Sequence, residues 1–457
     1  MRAAWLGITA CVMAPPAAAR DWVVRDHQRY AKAVARLSPG DRLLLADGEW
    51  RDFVIRFTAN GTADRPITLA AQTPGKVVLS GRSSLSIAGR HLVVSGLVFR
   101  DGHAPDESVI ELRDGKRWAE HVRLTGIVID RFNPPSRDRA DHWVSLFGSD
   151  NRIDHSHFVG KANAGAMMVV VRDAGWPLAN RHRIDHNYFG PRPPLGRNGG
   201  ETIRIGTSPQ SQSDSGTIVE DNYFERCDGE AEIVSVKSGG NIVRRNTFVE
   251  SQGAVVLRHG HGNLVERNVF LGRGVERTGG VRVVNARQTV RGNYMEGLAG
   301  TDFTSAIAVM NGVPSSPLNR YAPVEDALIA NNSVIEAARI TLAMGADRER
   351  TVAPRSTRFV ANLIVNRGDD PFRAGGSIDG IRFEGNVQQA GRRGPLELGI
   401  AQRPVRLERA ANGLLYPADP ALAAIGAPRD LTPFGREAVG VDWYPKPAAT
   451  GTIREEN

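Results

Sequence analysis

The segment Asp228-Gly229-Glu230-Ala231-Glu232-Ile233-Val234-Ser235-Val236-Lys237-Ser238 gathers two carboxylates and an amine on one short stretch of chain. Residues two apart on a strand point to the same side, so Glu230 and Glu232 would share an outer face and repel one another. A hard cation relieves such repulsion, and an oxygen-only ligand set favours calcium over zinc. A bare Glu-x-Glu pair is also the ordinary pattern of a solvated strand face. Lys237 has the opposite parity to the two acids. A bend or bulge between Glu232 and Lys237 is therefore required if all three are to face one groove.

Two more cations follow at similar intervals. Arg258, in Val255-Val256-Leu257-Arg258-His259-Gly260-His261, lies 21 residues after Lys237, and Arg282 lies 24 residues after Arg258. If each interval is one turn of a repeating scaffold, these side chains project from neighbouring strands about 5 Å apart. A row of basic groups beside a pair of acids suits a polyuronate.

The rest of the chain supplies that scaffold. From about residue 150 a pattern recurs: an apolar residue, two variable residues, Asn, one variable residue and a large apolar residue. It reads Ile184…Asn187…Phe189, Val219…Asn222…Phe224, Val243…Asn246…Phe248, Val265…Asn268…Phe270, Val290…Asn293…Met295, Ile329…Asn332…Val334 and Phe359…Asn362…Ile364. Successive Asn residues, through the imperfect copy at Asn386, lie 22 to 39 residues apart. Such a period indicates coils that bury their apolar faces only by stacking. The expected fold is all-β, a right-handed parallel β-helix. An Asn at the same corner of each coil can bend the chain there and hydrogen-bond along the axis. These Asn and Phe residues are read as scaffold.

His27 to Leu37 places Tyr30, Val34 and Leu37 on one helical face, a short N-terminal helix capping the open end of the stack. Excursions at Ala162–Asn180, Gly190–Thr202 and Asn311–Asp326 are long enough to carry binding residues. The tail from about Leu407 loses the repeat and is expected to fold back over the coils, with Trp443 and Tyr444 as anchors.

Arg2, the apolar run Ala3 to Ala14 and the small residues Ala17-Ala18-Ala19 read as a secretory signal over residues 1–19. Residues 20–457 are expected to form a single domain, periplasmic or secreted. Cys11 would leave with the signal, so Cys227 would remain alone and no internal disulfide could form. Removing the signal lowers the formal charge from +8 to +7. For an exported basic protein the expected partner is an acidic polysaccharide, not nucleic acid or a membrane.

The chain resembles polysaccharide lyase family six, the alginate lyase and chondroitinase B family. The matching text is Asn198-Gly199-Gly200-Glu201-Thr202, Gly229-Glu230-Ala231-Glu232, Val236-Lys237-Ser238 and Leu257-Arg258-His259-Gly260, in that order. Pro66-Ile67-Thr68, Gly96-Leu97-Val98-Phe99 and Gly440-Val441-Asp442-Trp443 extend the likeness over nearly the whole chain. The resemblance implies a lyase that cleaves a uronate glycan, alginate and poly-mannuronate first, by calcium-assisted β-elimination. It implies that Asn198, Glu230 and Glu232 bind Ca2+, that Lys237 is the general base and that Arg258 is the general acid. Arg282 would contact substrate. His259 would line the groove or serve the structure, and His261 reads as structural. A dermatan sulfate lyase of the same family and a non-catalytic glycan-binding β-helix are the competing readings. A binding module has no need of a paired base and acid, and no Asp cluster of the kind hydrolytic β-helices use is present.

Overall fold

A coil of some two dozen residues cannot enclose a core of its own, so its apolar side chains are satisfied only by the coils above and below. The computed structural model describes residues 18–448. Residues 1–17 of the expected signal, Cys11 among them, lie outside the described residues. The chain winds into three sheets of 14 strands, parallel except for the pair Arg113–Asp114 and Arg117–Glu120, in which hydrogen-bonded neighbours are mostly one coil apart. One coil contributes Glu232–Lys237 to the second sheet, Ile242–Arg244 to the first and Thr247–Val249 to the third. Gly253–His259 then begins the next coil directly beside Glu232–Lys237. This is the expected right-handed parallel β-helix.

One apolar cluster runs through the coils from Val24 to Ile400. Within it Phe158, Phe189, Phe224, Phe248 and Phe270 stack face to face, with ring centres 4.5–5.4 Å apart. Their spacing is that of the rungs, so each ring packs on its copy in the next coil.

The recurring Asn residues are buried and form a continuous ladder. Each Nδ2 donates to the Oδ1 of the next, through Asn187, Asn222, Asn246, Asn268, Asn293, Asn332, Asn362 and Asn386, at 2.9–3.0 Å. Each Oδ1 also accepts a backbone N–H from the preceding coil, as Asn246 does from Asn222. The ladder thus satisfies backbone groups that the corner removes from the sheets. The expectation that Asn itself takes the left-handed bend is corrected. The positive φ falls on the residue before it, at His186, Asp221, Arg245, Arg267, Asn331 and Ala361. The Asn side chain instead reaches back to carbonyls, in Asn246 to those of Val219 and Arg244.

The helix spans His27–Val34, with Asp26 accepting from the Arg29 N–H at its start. It is shorter than expected because the Arg36 N–H turns to Ala33 O. Tyr30 and Ala33 are buried, and Val34 and Leu37 still pack against the core, so the end of the stack is covered. The Ala162–Asn180 excursion is interrupted by a true rung, Met168–Val170.

The tail runs back along the third sheet toward the first coils. The Gly426 N–H donates to Ala361 O, the Phe434 N–H to Thr247 Oγ1, and the Gly440 N–H to His186 O. Tyr444 ends the path with a 2.6 Å bond to Asp130 Oδ2, and Trp443 packs at Gly75. Cys227 is buried, and burial pushes its thiol up to about 12. No helix of the described residues is long and apolar enough to cross a membrane.

Candidate active site

The second sheet carries Glu232, Lys237, Arg258 and Arg282. The expectation that Glu230 shares a strand with Glu232 is corrected, since Glu230 falls in the bend that precedes the strand. Ile203–Ile205, Glu232–Lys237, Gly253–His259, Thr278–Val283 and Ile307–Met310 are successive strands of that sheet. Val234, Val255 and Val281 point into the core in register, while Arg204, Ser235, Val256, Arg282 and Ala308 form the alternate, outward column. The required irregularity is present. Pairing with Gly253–His259 slips between Glu232 and Val234 and again between Ser235 and Lys237. The first slip puts the extra residue on this strand, which lets Glu232 and Lys237 present side chains on one face despite their opposite parity; the second puts it on the strand of Arg258.

On that face lies a groove of about 500 Å³, with Asn198, Glu230, Glu232, Arg258, Arg282 and Tyr321 among its walls. Arg282 Nη1 lies 3.4 Å and Arg258 Nε 3.9 Å from Glu232 Oε1. The other oxygen of Glu232 accepts from Ser235 Oγ at 2.5 Å. Arg282 is almost wholly buried, donating to Phe303 O at 3.0 Å. The Arg258 guanidinium carbon sits 4.0 Å from the Tyr321 ring centre and its nitrogens face the carbonyls of Asn319 and Arg320 at 3.4 Å. The Asn311–Asp326 excursion therefore clasps Arg258, as a loop on a rigid scaffold can. Tyr321 went unnoticed in the sequence, where no spacing marks it.

Lys237 is half-buried on the strand next to Arg258, with Nζ 3.5 Å from Glu201 Oε1. Glu201 is buried and its other oxygen has no hydrogen-bond partner. It was legible only as part of the Asn-Gly-Gly-Glu text. His259 is 2% exposed and does not line the groove; its Nε2 meets Ser208 Oγ at 3.2 Å. Burial, then the charges of Arg258 and Lys237, pull its pKa down to about 3, so the ring is neutral. His261 accepts from the Ala286 N–H and stays structural in its contacts.

Asn198 is exposed on the Gly190–Thr202 excursion, and local packing explains how that loop reaches the acids. A Cβ on Gly200 would stand 2.3 Å from Gly229 O, and one on Gly229 would stand 2.1 Å from Gly200 O. Only two glycines allow this crossing. Arg192, buried beneath, pins the loop by donating to the carbonyls of Glu201, Asn163 and Gly165 at 2.6–3.1 Å. Glu230 Oε2 accepts from the Gly199 and Gly200 N–H groups.

Burial, the charge of Glu201 and that of Glu232 raise the Glu230 carboxyl to about 7. Among the described residues no three His, Cys, Asp or Glu side chains are arranged to hold a metal by themselves. The groove walls carry one amide, Asn198, and three carboxylates, Asp228, Glu230 and Glu232. These are all oxygen donors, which suits a hard cation completed by ligands from outside the chain.

The model of the family described as Chondroitinase B matches residues 24–422. Among solved structures, PL6 family alginate lyase AlyGC shares 49% identity at a TM-score of 0.92, over 94% of this chain and 59% of that one. A mannuronic acid specific polysaccharide family 6 lyase from human gut microbiota shares 34% identity at a TM-score of 0.77, over 84% and 91%. The PL6 family polysaccharide lyase Pedsa3628 from Pseudopedobacter saltans shares 26% identity at a TM-score of 0.74, over 92% and 99%. No curated protein sequence matches. With this fold, the ordered motifs and a family match over most of its length, the chain belongs to the chondroitinase B family, polysaccharide lyase family six.

Proposed function

We propose that the protein is an alginate lyase that cleaves poly-mannuronate by calcium-assisted β-elimination. The observation that carries this reading is the placement of Lys237 and Arg258 on adjacent strands, Arg258 against Glu232 in the groove and Lys237 against the buried Glu201. The named substrates of the AlyGC and gut-microbiota relatives support alginate over dermatan sulfate. Residues 20–457 are read as one lyase domain, exported by residues 1–19 to the periplasm or beyond.

In this reading Lys237 Nζ removes the proton at C5 of a uronate. The electron pair left on C5 forms the C4=C5 double bond as the C4–O4 bond breaks. Arg258 faces the departing O4 and stabilises its negative charge. A guanidinium stays charged, so water supplies the proton that O4 takes up. Tyr321 and the Asn319 and Arg320 carbonyls hold Arg258 toward the groove. Arg282 contacts the substrate carboxylate, and Glu232 fixes the pair of guanidinium groups from the other side. Asn198, Glu230 and Glu232 would hold Ca2+, which when bound neutralises the uronate carboxylate and so acidifies the C5 proton. His259, neutral and bonded to Ser208, packs beside Lys237 and Arg258.

The test is to incubate the protein separately with polymannuronate, polyguluronate and dermatan sulfate while following ultraviolet absorbance of a new double bond. Absorbance rising first with polymannuronate supports the reading. A rise only with dermatan sulfate would assign the other substrate, and none with any polymer would leave a glycan-binding β-helix.

A further inference from the structure

Two hollows flank the strand that carries Lys237. One is the groove with Glu230, Glu232 and Arg258. The other, about 220 Å³, opens over the preceding coils, and its walls include Arg113, His142, Trp176 and Arg204. Arg204 stands on the rung before Lys237 and Arg258 on the rung after it. Lys237 itself lines neither hollow. A chain whose reacting sugar lies over Lys237 therefore extends into both.

The second hollow has the chemistry for an acidic sugar. Arg204 lies 3.8 Å from Glu201, the acid that also meets Lys237, and its buried Nε has no partner. The Arg113 guanidinium carbon stands 4.3 Å over Phe147 and 5.7 Å from Trp176, with Nε donating to Glu111 at 2.9 Å. Aromatic faces hold such a guanidinium flat while its free edge can take a carboxylate. His142 Nδ1 meets Ala166 O at 2.8 Å, and burial lowers its pKa. The neutral ring thus keeps its proton on Nδ1, and Nε2, which has no partner among the described residues, can accept a sugar hydroxyl. Trp176 is half-buried and braced edge-on by Phe147 at 4.9 Å and Trp118 at 6.0 Å. A braced indole is a platform for a sugar ring. Glu107 and Asp173 also line the hollow, which makes it a poor trap for anions at large.

We propose that this hollow binds the uronate units that continue the substrate beyond the sugar over Lys237. Arg113 and Arg204 take carboxylates, and Trp176 stacks on a ring. The proposal rests on the lyase reading and extends it to the length of chain the protein holds. From the Lys237 strand to His142–Leu146 there are three rung spacings. That is a reach of about 14 Å, too long for a trimer centred at Lys237 to fill.

The experiment measures dissociation constants of saturated mannuronate hexamer and trimer, by calorimetry, for Lys237→Ala alone and with Trp176→Ala added. The second substitution should weaken the hexamer about fivefold and leave the trimer unchanged. Equal weakening of both, no weakening, or no hexamer binding at all would overturn the proposal. Asp173→Asn, on the exposed rim, cannot act through the core and should tighten the hexamer about twofold over the trimer. An unselective effect there also counts against it. Product formation by the unaltered protein separates the two ideas. If polymannuronate is cleaved but the hexamer preference ignores Trp176 and Asp173, only the second hollow is refuted. If no uronate polymer is cleaved, the lyase reading fails first.

Discussion

The Arg258 guanidinium carbon lies 4.0 Å from the centre of the Tyr321 ring, although the two residues are separated by two further coils of the scaffold. A cation over an aromatic face gains about 0.5–2 kcal/mol, and here it also fixes direction. Tyr321→Ala should therefore lower kcat on polymannuronate about tenfold, while Tyr321→Phe, which keeps the ring, should stay within about twofold. Equal losses in steady-state assays would show that the hydroxyl, not the ring, matters.

The crossing of Gly200 and Gly229 is a second point of control. Gly200→Ala places a methyl 2.3 Å from a backbone oxygen that cannot rotate away. It should destabilise the fold by about 1–3 kcal/mol and displace Asn198. Gly435, where a Cβ meets nothing within 4 Å, is the control and should tolerate alanine without change. Thermal melting read beside a calcium titration checks both, and normal calcium dependence in Gly200→Ala would contradict the role given to the crossing.

Acid should loosen the tail. His157 is buried between Tyr188 and Tyr444, with neither ring nitrogen partnered. Burial, then the charges of Lys446 and Arg436, lower its pKa from 6.5 to about 3. The unfolded chain thus takes up this proton at a higher pH than the folded one. The stability tied to a neutral His157 is complete above pH 6.5 and is lost as pH falls from there toward 3. His157→Phe keeps the shape without the charge. Its melting temperature should fall less between pH 6.5 and 4 than that of the unaltered protein, and parallel curves would refute the assignment.

Chelation should suppress turnover and added calcium should restore it. Glu232→Gln should raise the calcium concentration needed for half-maximal rate about tenfold or more before it moves the melting temperature. An unchanged calcium titration would remove Glu232 from the ligand set.

The architecture was legible in the sequence because stacking copies the same side chain at the same corner. Asn246 and Phe248 announce a coil by recurring as Asn268 and Phe270. The bulge before Lys237 could be deduced, since parity alone would have turned Lys237 away from Glu232. What escaped notice lacks a residue type that repeats. A second ladder, Asn241 to Asn263 to Gln288, occupies the turn after the site strands and changes residue type midway. Tyr321 sits in a loop whose path depends on the fold around it. The bend before each Asn of the ladder is made by His, Asp, Arg, Gly, Asn or Ala in turn, so no single residue type marks it.

In the proposed mechanism the Lys237 amine, one strand from Arg258, removes the C5 proton. The direct measurement is ultraviolet-absorbing product from polymannuronate with Lys237→Ala, beside its melting curve and its calcium binding. Product should fall by about a thousandfold or more, with melting temperature and calcium affinity kept. Product formed at a rate within about tenfold of the unaltered protein, by a folded variant, would contradict that role for Lys237.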